Sequence, residues 1–106
     1  MKPWLMDILV CPMKDCRSEL HLDVYESHTG QAEGKDFEEI DEALITCQRC
    51  NRWYPVISGI PCMLPDDLRM TGRQRKAEDD FLKRWRDRIP SEILEKGVPF
   101  GLTSES

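Results

Sequence analysis

Apolar and polar residues alternate most cleanly over residues 20–25, with Leu20, Leu22 and Val24 on one side and His21, Asp23 and Tyr25 on the other. A period of two is that of a strand with one buried face. The run ESHTGQAEGK that follows is polar and glycine-bearing, and reads as a loop. Phe37, Ile40 and Leu44 then recur at spacings of three and four, which predicts a short helical turn over DFEEIDEAL. The β-branched LITC returns to strand character, and RWYPVI and IPCML read as two strands around the turn pair Ser58-Gly59. Pro55 and Pro61 have no backbone donor, so both strands belong at sheet edges. Ahead of these, residues 2–9 read as one helical turn or a short strand leading into Cys11.

After Pro65 the pattern changes. Thr71-Gly72-Arg73-Gln74 has the form of a capping box. Beyond it Ala77, Phe81, Leu82, Trp85 and Ile89 make an apolar stripe on a charged helix, which Pro90 should stop. SEILEKG reads as one more turn ended by Gly97, and LTSES as a mobile tail. The expected architecture is a small α+β fold: residues 1–67 with a few antiparallel strands, and a helical C-terminal extension over residues 68–106.

A chain of 106 residues allows one domain and a limited core. No apolar run approaches the roughly 20 residues that span a bilayer. MKPWLMDILVCP carries Asp7 and no small-residue cleavage site, so it does not read as a secretory signal, which points to the cytoplasm. The net charge of -5 is unevenly placed. Nine acids against Lys35 alone lie between residues 19 and 45, and eight bases against four acids between residues 69 and 88. The global charge disfavours a general nucleic-acid binder, while the basic stretch leaves a local electrostatic role open.

Four of the five cysteines form two close pairs, Cys11 and Cys16 as C-x4-C and Cys47 and Cys50 as C-x2-C. In a reducing compartment such pairs point to metal binding or redox chemistry rather than disulfides. Two turns that each present two thiolates match the tetrahedral preference of a structural zinc, and four thiolates leave no open position for a catalytic water. Iron held by the same pairs, as in a rubredoxin-like electron carrier, is the competing metal. Cys62 stands apart in an apolar strand and reads as a packed small hydrophobe. His21 and His28 read as surface residues, and the acids of residues 33–42 as a solvated face. No phosphate-binding glycine loop and no nucleophile–base pairing is evident, which argues against an enzyme.

The phrases WLMDILVCP, CQRC and RWYPVISGIPCML, taken in this order, resemble the family of the tRNA methyltransferase 112 homolog over residues 4 to about 67. The resemblance implies a zinc-ribbon-like domain in a short prokaryotic-type form. It implies a non-catalytic subunit that binds, stabilises and activates class I S-adenosylmethionine-dependent methyltransferases. Their substrates would be tRNA, rRNA or a translation release factor, and the product of association a heterodimer. It carries zinc ligation to Cys11, Cys16, Cys47 and Cys50. Partner contact carries to Leu5, Ile8, Ile57, Ile60, Met63 and Leu64. An apolar edge strand that awaits a partner strand agrees with this expectation. The alternative is a stand-alone zinc-ribbon nucleic-acid-binding module that uses Arg69, Arg73, Arg75, Lys76, Lys83, Arg84, Arg86 and Arg88. A weak RNA contact through residues 69–88 is compatible with either role.

Overall fold

The computed structural model describes residues 1–14 and 16–102, with Ala32 described by its backbone only. Four antiparallel strands lie in sequence order: β1 (His21–Ala32), β2 (Lys35–Thr46), β3 (Trp53–Ile57) and β4 (Ile60–Pro61). Two helices follow, α1 (Gly72–Trp85) and α2 (Ser91–Lys96), with 3-10 turns at Pro3–Asp7 and Asp66–Leu68. This is the small α+β architecture with C-terminal helices that the sequence predicts.

Two expectations are overturned in the first half. ESHTGQAEGK is not a loop, because most of it continues β1. Its side chains are largely exposed, so alternation gives no signal, and the strand is held by its ladder to β2. The loop shrinks to Glu33 and Gly34, both at positive φ (53° and 76°), the geometry of a two-residue hairpin turn. Near that tip the Phe37 ring covers Gly30, where an added Cβ would come within 2.6 Å of it. DFEEIDEAL is likewise strand, not helix. Its spacing of four crosses a bulge: Ala43 pairs with Val24, Glu42 with Glu26 and Ile40 with Ser27, leaving Tyr25 and Asp41 out of register. The bulge inverts the alternation, so Ile40 joins Ala43 and Ile45 in one core while Leu44 faces another.

Nor is β3 an edge strand, for β4 lies outside it. A residue in an antiparallel ladder points its N–H and C=O at the same neighbour. The Pro55 carbonyl accepts from the Cys62 N–H at 2.9 Å, so the donor it lacks faces β4 and the ladder to β2 is intact. The remaining expectation holds for Pro61, which sits in the outer strand.

The sheet separates two cores. One gathers Met1, Cys11, Ile40, Ala43, Ile45, Cys47, Tyr54 and Val56. The other joins Tyr25, Leu44 and Trp53 to Phe81, Leu82, Ile89 and Phe100 from the C-terminal segment. The Trp53 indole N–H donates to the Phe100 carbonyl at 2.9 Å, and Gly97 lies close enough that a Cβ would stand 3.0 Å from that nitrogen. Leu102, first residue of the expected tail, packs on this core; residues 103–106, on which the rest of that expectation falls, lie outside the described set.

Helix α1 starts and stops differently from its sequence signals. Thr71 is the N-cap residue but makes no side-chain cap bond, and the Gln74 amide donates to Glu78 instead. Glu78 is fully buried, and its carboxylate takes that amide together with the Arg69 guanidinium. The helix ends at Trp85, short of Pro90, where the chain turns and the Arg88 and Ile89 N–H groups return to the Trp85 carbonyl. Arg88 then donates to the Tyr25 and Val24 carbonyls at the β1 bulge. Ile89 remains buried, so its place in the stripe is kept without helix.

Candidate metal centre

Backbone hydrogen bonds close the chain around each cysteine pair. In the first, the Cys11 N–H donates to the Ser18 carbonyl and the Cys16 N–H to the Met13 carbonyl. In the second, the Cys47 N–H donates to Arg52 and the Asn51 N–H returns to Cys47. Each turn reverses at a positive-φ residue directly after its second cysteine: Arg17 at 53° and Asn51 at 61°. Asparagine tolerates that region well, arginine less so. The second turn joins β2 to β3, and the two turns bring their four sulfurs together.

All four Sγ atoms lie within 4.8 Å of one another. The Cys11 and Cys50 sulfurs are 3.6 Å apart and those of Cys16 and Cys47 3.5 Å. Thiolates around one zinc at about 2.3 Å stand about 3.8 Å from each other, so the cluster fits a tetrahedral metal ion. Cys11 and Cys47 are buried, while Cys16 and Cys50 are half-buried. The Cys16 and Cys50 side is open to a pocket of about 310 Å³ that Met13, Lys14, Arg49 and Arg52 also line.

Polar neighbours tune these sulfurs. Burial raises the Cys11 thiol against the lowering effect of a hydrogen bond with the Tyr54 hydroxyl at 3.3 Å. A backbone contact at Ser18 favours the charged form of Cys16, but desolvation and the adjacent thiols together push it up to about 12. Burial also opposes charge on Cys50, yet the Arg52 guanidinium and backbone outweigh it and bring this thiol to about 7. Four thiolates packed this closely repel one another, and a divalent cation between them offsets that repulsion. Arg52 is held by a bidentate pair to Asp66, at 2.8 and 2.6 Å.

Arg52, Tyr54 and Asp66 are the residues that sequence reasoning missed here. Arg52 had a local signal, adjacency to the C-x2-C pair. Tyr54 and Asp66 had none, since their contacts span 43 and 14 positions.

The structure divides the other residues singled out above. Ile8 and Ile60 are exposed, at 68% and 66%, whereas Leu5, Ile57, Met63 and Leu64 are half-buried. Leu5 and Met63 pack on the metal-side core and Ile57 on the helix-side core. Cys62 is half-buried and outside the sulfur cluster, with its Sγ 3.7 Å from the Ile60 carbonyl. His21 and His28 are exposed, and His28 pairs with Asp41 at 2.8 Å. Glu42 departs from the expected solvated acidic face: it is buried, accepting from Arg84, Trp85 and the Ser58 backbone.

In the basic stretch, Arg69 pairs with Glu78, Arg75 with Asp79, Lys76 with Asp80 and Arg84 with Glu42, and Arg88 caps strand carbonyls. Arg73, Lys83 and Arg86 are exposed. Among the described residues no helix is long and apolar enough to cross a membrane.

A family model described as "Trm112p-like protein" matches residues 2–59, which contain both cysteine pairs and strands β1 to β3. A "UPF0434 protein" of Methylobacillus flagellatus is 31% identical over 74 residues, covering 70% of this chain and 93% of the relative. This chain belongs to the Trm112p-like family.

Proposed function

We propose that the chain is a non-catalytic zinc-binding subunit that binds, stabilises and activates class I S-adenosylmethionine-dependent methyltransferases acting on tRNA, rRNA or a translation release factor. Zinc is held by Cys11, Cys16, Cys47 and Cys50. The metal organises the two turns and performs no chemistry, since four protein thiolates occupy its coordination positions. Family membership motivates the partner class. The observation that carries the reading is the set of exposed apolar side chains, Trp4, Ile8 and Val10 in the N-terminal segment and Ile60 in the two-residue outer strand β4.

Large exposed apolar side chains beside a short outer strand mark a surface that another chain covers. Strand addition would supply backbone hydrogen bonds, with Ile60, Met63 and Leu64 giving specificity. Leu5 and Ile8 would extend that contact, and Ile57 would support the strand from the helix side. Recovery of a methyltransferase in stoichiometric amount by affinity purification from native lysate of the source organism is the expected result. The partner's activity or solubility should then depend on Ile8 and Ile60. If the purified chain neither associates with nor stabilises any methyltransferase of its own source, the proposal is wrong.

The nucleic-acid module is a weaker reading, because internal partners hold much of the basic stretch. Arg73, Lys83 and Arg86 support only an accessory contact with RNA. Salt-sensitive RNA affinity of the isolated chain in a filter-binding assay would favour that module. One zinc per colourless chain would exclude the iron-based electron carrier.

A further inference from the structure

Beside the four clustered sulfurs stands a cation, Arg52. Arg52 lines the pocket shared by Cys16 and Cys50 and follows Cys50 by two positions in the same turn. Its side chain is only 20% exposed, and its carbonyl accepts from the Cys47 N–H, so it belongs to the metal turn itself. Its Nε and Nη2 both donate to one carboxylate, that of Asp66. Asp66 opens the 3-10 turn Asp66–Leu68 and lies beyond residues 2–59, the span the family model matches. The cations Lys14 and Arg49 line the same pocket, and Arg49 is spent on the Cys16 carbonyl at 3.2 Å.

Resting on that metal reading, we propose that Asp66 is a positioning residue for the metal centre: it locks Arg52 in the pocket at the open Cys16 and Cys50 side and thereby slows release of the ion. Four thiolates around a divalent ion carry two excess negative charges, and a guanidinium fixed at the open side offsets them where water and chelators would enter. An arginine freed from Asp66 would regain its rotamers and turn toward solvent, since the pocket is open. Groups that orient a metal's ligands from behind typically change affinity about 10–100-fold. The pair thus ties the segment that leads into α1 to the cysteine cluster.

The experiment is transfer of zinc from the full chain to the chromogenic chelator 4-(2-pyridylazo)resorcinol. Asp66→Asn should release zinc about tenfold faster or more than the parent, Arg52→Gln equally fast, and Asp66→Glu close to the parent rate. The double variant Arg52→Gln/Asp66→Asn should release no faster than Arg52→Gln, because Asp66 acts through Arg52. Plain destabilisation is separated by the cobalt-substituted protein. Its thiolate-to-cobalt charge-transfer bands should move in Asp66→Asn and stay in place in Arg84→Gln, which loses a distant pair with Glu42. Release by Asp66→Asn at the parent rate, additive effects in the double variant, or unmoved cobalt bands would each overturn the role of Asp66 while leaving the metal centre standing. A parent chain that binds no zinc would overturn the centre itself.

Discussion

Arg69 and Glu78 are both fully buried, 2.7 Å apart, and the guanidinium also lies 4.7 Å from the Trp53 ring and 4.9 Å from the Tyr54 ring. Removing one member of such a pair strands the other charge away from water, at about 3–5 kcal/mol. Arg69→Ala is therefore expected to lower the unfolding free energy by about that amount in urea titration. Replacing both members by apolar residues, as Arg69→Met with Glu78→Leu, should cost much less, because neither charge is left alone. Tyr25 shows the converse. Its hydroxyl is buried without a hydrogen-bond partner among the described residues, and burial pushes its ionisation up to about 12. Tyr25→Phe should hold stability or raise it by about 1 kcal/mol, since it removes an unsatisfied group and keeps the ring contact with Trp85. A clear loss of stability in the same titration would mean that the hydroxyl has a partner in solution.

Each element draws its position from a different source. The hairpin of β1 and β2 rests on its ladder and on the tight Glu33-Gly34 turn, so its outer half needs no core. Helix α1 rests on its apolar face, where Phe81 stacks near Tyr25 and Trp53 with ring centroids 6.3 and 6.4 Å away. Phe81→Ala removes the central contact between α1 and the sheet and is expected to cost about 3–5 kcal/mol. Loss of the near-ultraviolet circular dichroism signal of Trp53 should accompany it. The stripe that holds Phe81 was legible because α1 is a solvent-bounded helix with one buried side. The strand character of β2 was hidden, since a bulge and burial on both faces imitate helical spacing at Phe37, Ile40 and Leu44. Polarity concealed the outer half of β1 in the same way.

For the whole molecule, the metal centre and the sheet are one unit, because Cys11 and Cys47 belong to the core that Ile45, Tyr54 and Val56 complete. Structural zinc in small domains contributes about 10–16 kcal/mol of apparent binding energy, comparable to the whole net stability of an ordinary domain, about 5–15 kcal/mol. Chelation is therefore expected to unfold the region from the first turn through β4, read as loss of near-ultraviolet circular dichroism. Readdition of zinc should restore it. Retention of that signal in the metal-free chain would show that the sheet stands on packing alone.

The sequence by itself determined the two cysteine pairs, the presence of strands around them, the charged helix near the C-terminus and the family. These are local patterns: ligand spacing, a period of two, a period of 3.6, and a phrase of neighbouring residues. Tertiary structure alone decided which acids are exposed, which cations are spent internally and what stands behind the sulfurs. Glu42 looks like its acidic neighbours in the chain, yet it is buried beneath Arg84 and Trp85, 42 and 43 positions away. Asp66 and Arg52 are ordinary surface residue types until the turn at Asp66–Leu68 returns beside the C-x2-C loop. Burial and charge pairing are properties of neighbours in space, and only the folded chain makes these residues neighbours.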